Sequence, residues 1–244
     1  MFVACDLHNH SCLSPCGSLE QPPSVLARLA RQRGLELVAL TDHNSALNAP
    51  AFSVCAAREG IAALYGMEAT SAEEVHVLCL FAELAAALDF GAFLASRLPR
   101  LPYDPERMGD QVVVDEDDVV IDQPDLYFGA ALELDFGALC DAAASRGALV
   151  IPAHIDRPMF GVLTQLGFLP DGPYAAVEAV RPLPAGAAKG YTVITGSDAH
   201  YPEHIARRPF GLELADDWNA GGVVNIEAIR SALAGGLVRL PFDS

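Results

Sequence analysis

Apolar residues recur along the chain in short runs, and most of these runs are followed by a stretch of helical period. Residues 2–7, 36–40, 61–65, 75–81, 148–152, 175–180, 191–195 and 211–214 are short and β-favouring, and read as strands. Residues 24–33, 51–59, 83–97, 136–145 and 226–234 carry the helical pattern. Pro22-Pro23 introduces the first helix, and Gly34, Gly60 and Gly147 close three of them. The last helix leads through Gly235-Gly236 into a short terminal strand. This rhythm predicts an α/β fold with a mostly parallel sheet or barrel.

Residues 98–129 interrupt it. Pro99, Pro102 and Pro105 break any helix there, and QVVVDEDDVVID then sets two valine-rich runs around an acidic turn. The expectation is a β-hairpin with residues 115–118 at its tip, inserted between barrel units as a lid or partner surface. The four acids lack the glycine and terminal glutamate of a calcium loop.

At 244 residues the chain suits a single domain over 1–244, and 52% hydrophobic against 19% charged residues argues against disorder. The net charge of −17 repels nucleic acid and anionic membrane. Any phosphate ligand must therefore be drawn in locally by cations. The longest apolar stretch, 82–98, is too short to span a membrane and contains Glu83 and Asp89. With a first candidate ligand as early as residue 8 and no basic segment before it, no signal peptide is expected. The expected compartment is the cytoplasm, with six reduced cysteines. Oligomeric state is not written in the pattern.

Six of the seven histidines fall in short polar clusters: His8 and His10 in DLHNHS, His43 in LTDHN, His76 in EEVHVL, His154 in PAHIDRP and His200 in GSDAH. Only His204 lies outside. Most clusters follow an apolar run directly, and Glu68 in GMEAT is placed at the end of the third strand. Parallel barrel strands bring such ends to one face. Imidazole and carboxylate groups together suit borderline divalent metals. One HxH pair is weak evidence, since a lone histidine is as often a hydrogen-bonded core residue. Five clusters at strand ends are not.

In their order, DLHNHS, LTDHN, the pair Glu68 and His76, Ala153-His154 and SDAH at 197–200 resemble the PHP (polymerase and histidinol phosphatase) superfamily, over residues 6 to 200. The resemblance implies a distorted (β/α)7 barrel of the PHP type, with two or three divalent metal ions in its mouth. One ion would be held by His8, His10, Glu68 and Asp198. A second would share Glu68 with His76 and His154. A third would take His43, His200 and a ligand from the loop after the first strand. Family members usually place an aspartate or histidine there, whereas this loop reads HSCLSPCGSLE. Cys16 is the favoured ligand, Glu20 the carboxylate alternative, and Cys12 a wall residue. Asp6, Asp42 and Asp156 are expected to orient histidines. Arg157 would meet a phosphate at the rim, with Arg181, Arg207 and Arg208 as lesser candidates.

The function so implied is a phosphoesterase acting on a small phosphorylated metabolite or nucleotide through a metal-activated hydroxide, with Glu68 and Asp198 as catalytic carboxylates. Zinc, manganese and iron all suit such ligands. The chain has no GxSxG elbow, Walker A loop or GxGxxG fingerprint. Two alternatives stay open: an amidohydrolase-like C–N hydrolase, although Lys189 is the only lysine, and a metal-stabilised non-catalytic regulatory module. A nuclease is disfavoured by charge.

Overall fold

Strands β1 (Phe2–Asp6), β2 (Leu37–Leu40) and β3 (Ala62–Thr70) lie parallel, joined by crossover helices α1 (Pro23–Gln32) and α2 (Ala49–Glu59). The computed structural model describes residues 1–220 and 222–241, so Gly221 and 242–244 of the expected domain fall outside it. Residues 71–75 are too few for a crossover, and β4 (His76–Phe81) therefore returns antiparallel to β3. Next come α3 (Leu84–Ala95), α4 (Pro105–Met108), β5 (Val113–Val114), β6 (Val120–Asp122), α5 (Phe136–Ala144) and β7 (Leu149–Pro152). The remaining elements are α6 (Val162–Gln165), β8 (Val177–Glu178), β9 (Val193–Ile194), β10 (Phe210–Glu213), β11 (Asn219–Ala220), β12 (Val223–Val224), α7 (Ile226–Ala234) and β13 (Val238–Arg239).

The main sheet has the order β13-β10-β1-β2-β3-β4-β7. Only β1–β2 and β2–β3 are parallel pairings in it, which corrects the mostly parallel expectation. Even so, β1, β2, β3 and β7 run the same way, and the reversed β4 starts where they end. A parallel bridge from Val150 to Tyr174 then leads to the parallel pair β8–β9. The circuit closes beyond the strands, where His10 N–H donates to the Ala199 carbonyl (3.0 Å) and Ser197 N–H to Asp6 Oδ1 (3.0 Å). Antiparallel β10 takes the edge of β1 that β9 would need, and this is the distortion of the barrel.

Successive residues along the strands are buried on opposite faces. Val3, Cys5, Leu37, Ala39, Ala62, Leu64, Leu78, Leu80, Leu149 and Ile151 gather in one inner cluster, which Ile229 and Leu233 of α7 join. Their neighbours face outward: Val38 and Leu40 pack under α1 and α2, and Val77, Cys79 and Val150 under α3 and α5. Two expected strands, 175–180 and 191–195, shrink to two residues each. Pro173, Pro182 and Pro184 around them supply no N–H to a ladder.

The insertion does form a hairpin. β5 pairs antiparallel with β6, and Asp115 Oδ1 accepts the Asp117 (3.0 Å) and Val119 (2.9 Å) amides within the acidic turn. Buried Asn48 pins it to the barrel, donating to the Val112 carbonyl (3.1 Å) and accepting from Val114 N–H (2.9 Å). Pro105, expected to break helices, instead starts the one-turn α4 behind an Asp104 cap, because a first-turn proline gives up no hydrogen bond. No helix among the described residues is long and apolar enough to cross a membrane.

Candidate metal centre

The alternation that buries Ala62 and Leu64 carries on through Gly66 to Glu68, delivering a carboxylate to the mouth of the barrel. Glu68 lies inside β3, two residues before Thr70, rather than at the strand end expected. His76 opens β4 opposite Thr70. Asn9 ties the segment past β1 down by donating to the Asp6 (3.2 Å) and Ala39 (3.3 Å) carbonyls, and its neighbours His8 and His10 stand side by side. His154 and Asp198 follow β7 and β9 with φ values of 30° and 47°, a left-handed strain typical of functional loops.

Glu68 and Asp198 organise what gathers there. Glu68 Oε1 lies 2.7 Å from His76 Nδ1, 2.9 Å from His154 Nε2 and 3.3 Å from His8 Nε2. Its Oε2 lies 3.3 Å from both His10 Nε2 and His43 Nδ1. Asp198 Oδ1 sits 3.3 Å from His10 and His200 and 3.5 Å from His8. Cys16 Sγ bridges the outer rings, 3.2 Å from His43 Nε2 and 3.1 Å from His200 Nε2. Cys16 is the exposed one of six free cysteines, and Cys12 is buried in the wall. Glu20 is exposed at the surface and is not brought to the cluster.

This arrangement fits cations better than hydrogen bonds. Five imidazoles converge on Glu68, more than its roughly four lone-pair sites can satisfy. Buried His43 Nδ1 and His154 Nδ1 have no hydrogen-bond partner. The Nε2 atoms of His8 and His10 face each other at 3.2 Å. Among the described residues, three groups have ligand atoms close enough to share an ion: His8, His10, Glu68 and Asp198; His43, Glu68 and His76; His10, His43 and His200.

The electrostatics agree. Burial alone would raise the Glu68 and Asp198 carboxyls, but the surrounding imidazoles hold both well below the usual range. Burial pushes His43, His76 and His200 down, His200 to about 4, and leaves them neutral as ligands must be. His8 and His10 go the other way. Burial opposes it, yet nearby carboxylates raise both, His10 to about 9.

Around the cluster, Asp42 orients His10 through Ser14: His10 Nδ1 lies 2.9 Å from Ser14 Oγ, which donates to Asp42 Oδ1 at 2.7 Å. Asp6 and Asp156 accept no hydrogen bond from an imidazole among the described residues, contrary to expectation. Asp6 accepts the Ser197 and Ala206 amides, and Asp156 the Val180 amide and Arg181, so both fix loop backbone. Arg157 sits at the rim, 41% exposed, and donates to Asp198 Oδ2. Arg207 and Arg208 spend donors on the carbonyls of Gly196, Ser197 and Asp198. Lys189 pairs with Asp171 outside the cluster. Sequence reasoning missed Glu178, whose Oε2 lies 2.8 Å from His8 Nδ1. Its only signal was an acid inside the apolar run AAVEAV.

The sequence pattern of the PHP domain matches residues 6–147. The chain belongs to the PHP domain family. No curated protein matches this PHP chain significantly. Among solved structures it is similar to the lesion-specific endonuclease Q of Pyrococcus furiosus, with a TM-score of 0.69 and 20% identity over 98% of this chain. An endonuclease Q bound to a 27-mer duplex with an abasic lesion at its active site gives 0.68, 19% and 98%. The chain spans 58% of the length of each endonuclease Q chain. A candidate metal-dependent phosphoesterase from Bifidobacterium adolescentis gives 0.59 and 17%, covering 95% of this chain and 96% of its own. At these identities the likeness is one of fold.

Proposed function

We propose that the chain is a metal-dependent phosphoesterase acting on a small phosphorylated metabolite or nucleotide. The observation that carries this reading is the convergence of five imidazoles on Glu68, with Asp198 closing the same cluster. His8, His10, Glu68 and Asp198 would hold one ion, Glu68, His76 and His154 a second, and His43, His200 and Cys16 a third. Divalent ions so held supply Lewis acidity and lower the pKa of water. Glu68, kept ionised by its imidazoles, would anchor both inner positions. Asp198 orients from a strained backbone, and Arg157 beside it presents a cationic fork to an entering phosphoryl group. Lys189 lies outside the cluster, which argues against an amidohydrolase built on a carbamylated lysine.

The test is turnover by the metal-loaded chain of aryl phosphate monoesters, diesters and a panel of phosphorylated metabolites and nucleotides. The reading predicts hydrolysis that chelation stops. Bound ions with no phosphoester turned over would leave a metal-stabilised module instead. A second reading is a nucleic-acid substrate, favoured by the endonuclease Q fold over 98% of the chain and opposed by the net charge of −17. Cleavage of an abasic duplex, with every small substrate untouched, would put it first.

A further inference from the structure

Glu178 is a carboxylate that the reaction as drawn does not use, yet it is only 1% exposed. Removing such a group from water is unfavourable, and an apolar side chain would fill β8 more simply. Its surroundings fix it from several sides. β8 pairs Glu178 with Ile194 of β9, and the Glu178 carbonyl accepts Ile155 N–H at 2.8 Å. Gly196 clears the space beside it, since a Cβ there would meet Glu178 Oε2 at 2.5 Å and His8 Cβ at 2.8 Å. Oε2 then lies 2.8 Å from His8 Nδ1, while Oε1 has no partner.

An imidazole that donates Nδ1–H to a carboxylate keeps a lone pair on Nε2. In His8 that atom faces His10 Nε2 at 3.2 Å, Glu68 Oε1 at 3.3 Å and Asp198 Oδ1 at 3.5 Å. His10 is held differently, through the neutral hydroxyl of Ser14. We propose that Glu178 is a positioning residue that fixes the Nδ1–H tautomer and ring plane of His8, so that Nε2 is presented to a cation held with His10, Glu68 and Asp198. This rests on the metal-binding reading above. The proton remains on His8 Nδ1, and Glu178 touches neither substrate nor ion.

The test uses zinc alone with the full chain. Affinity is measured by chelator competition, stoichiometry by elemental analysis, and histidine tautomers by long-range proton–nitrogen NMR. In the wild type, His8 is expected to carry its proton on Nδ1 and zinc on Nε2. Glu178→Gln keeps one acceptor and loses the charge, and should bind zinc about tenfold more weakly. Glu178→Ala should bind about a hundredfold more weakly, the range for such outer partners. Zinc on Nδ1 in the wild type, or unchanged affinity in Glu178→Ala, overturns the proposal alone. A wild type that binds no zinc overturns the reading of the centre, and this proposal with it. If the alanine variant does not fold, the wild-type tautomer decides.

Discussion

The two ends of the barrel are made from the same strands and filled by opposite rules. Toward the start of β3, the inward positions are Ala62 and Leu64, level with Leu37 and Ala39 of β2, and all are apolar. Further along the same face, Gly66 leads to Glu68, and the level is completed by imidazoles and carboxylates just as deeply buried. The apolar end gains stability from each residue it removes from water. The polar end buries charge, leaves imidazole nitrogens unpaired and holds His154 and Asp198 at positive φ. Burial is therefore no guide to role in this fold. What separates the ends is whether a buried group could be replaced by a hydrocarbon.

That contrast is broken most sharply at Glu68. Glu68→Gln should lower turnover by about a hundred- to a thousandfold, on the scale of lost preorganised electrostatics, because the two proposed ion positions would lose their shared anion. The fold should survive, with unchanged circular dichroism and fewer ions per chain. Wild-type turnover with fewer ions would end the multinuclear reading. Leu64→Ala, four residues earlier on the same face, should do the reverse. It should cost about 2–5 kcal/mol of stability in denaturant melts and leave ions per folded molecule unchanged. Loss of metal from the folded variant would mean that the two ends are coupled.

A third difference is pH. In the metal-free chain the Asp198 and Glu68 carboxylates raise His10 to about 9 against the effect of burial, so an entering ion must displace that proton below pH 9. Zinc affinity should therefore climb by about tenfold per pH unit between 6 and 9 for each proton displaced. Calorimetry in buffers of different ionisation enthalpy counts the protons. A flat profile would mean that His10 is already neutral.

How much of this was readable follows from the same contrast. The strand–helix order was legible because alternation and helical period are local, and α7 falls where the pattern put it. The cluster at the mouth was legible because the histidine motifs recur beside one apolar run after another, and the chain brings His8, His43, Glu68 and Asp198 together from far apart. The mostly parallel expectation fails at β4, although the short link of 71–75 was there to see. Glu178 could not have been read. Its partner His8 is 170 positions away, and one acid in an apolar run says nothing of what it faces. Asp6 was misread for a related reason: an acid next to a ligand motif serves backbone amides as readily as imidazoles.

The loop after β1 gives a smaller effect. Cys16 Sγ stands between His43 and His200, whereas Glu20 is exposed at the surface. Cys16→Ser should lower occupancy of the outer position by about one ion and leave the inner positions filled, since thiolate is the stronger ligand for zinc. Glu20→Gln should change nothing. If elemental analysis shows the opposite pair of results, the loop rearranges on metal binding.

The smallest expected change is at Arg157, where the polar end meets solvent. Its guanidinium donates to Asp198 from a half-exposed position, so the group that would meet a phosphoryl oxygen also restrains a proposed ligand. Lysine keeps the charge but gives up the planar fork, and with it one of two parallel hydrogen bonds to an anion. A hydrogen bond to a charged group is worth about 1.5–3 kcal/mol, and partial exposure places the loss at the lower end, about a tenfold rise in KM. Metal content and kcat should move less, because Asp198 keeps its contacts with His8, His10 and His200. Steady-state kinetics on a hydrolysed phosphoester separate the cases. If kcat falls and KM holds in Arg157→Lys, the arginine acts through Asp198 rather than on substrate. If neither moves, Arg157 belongs to the solvated rim, and the phosphate is held by the centre alone.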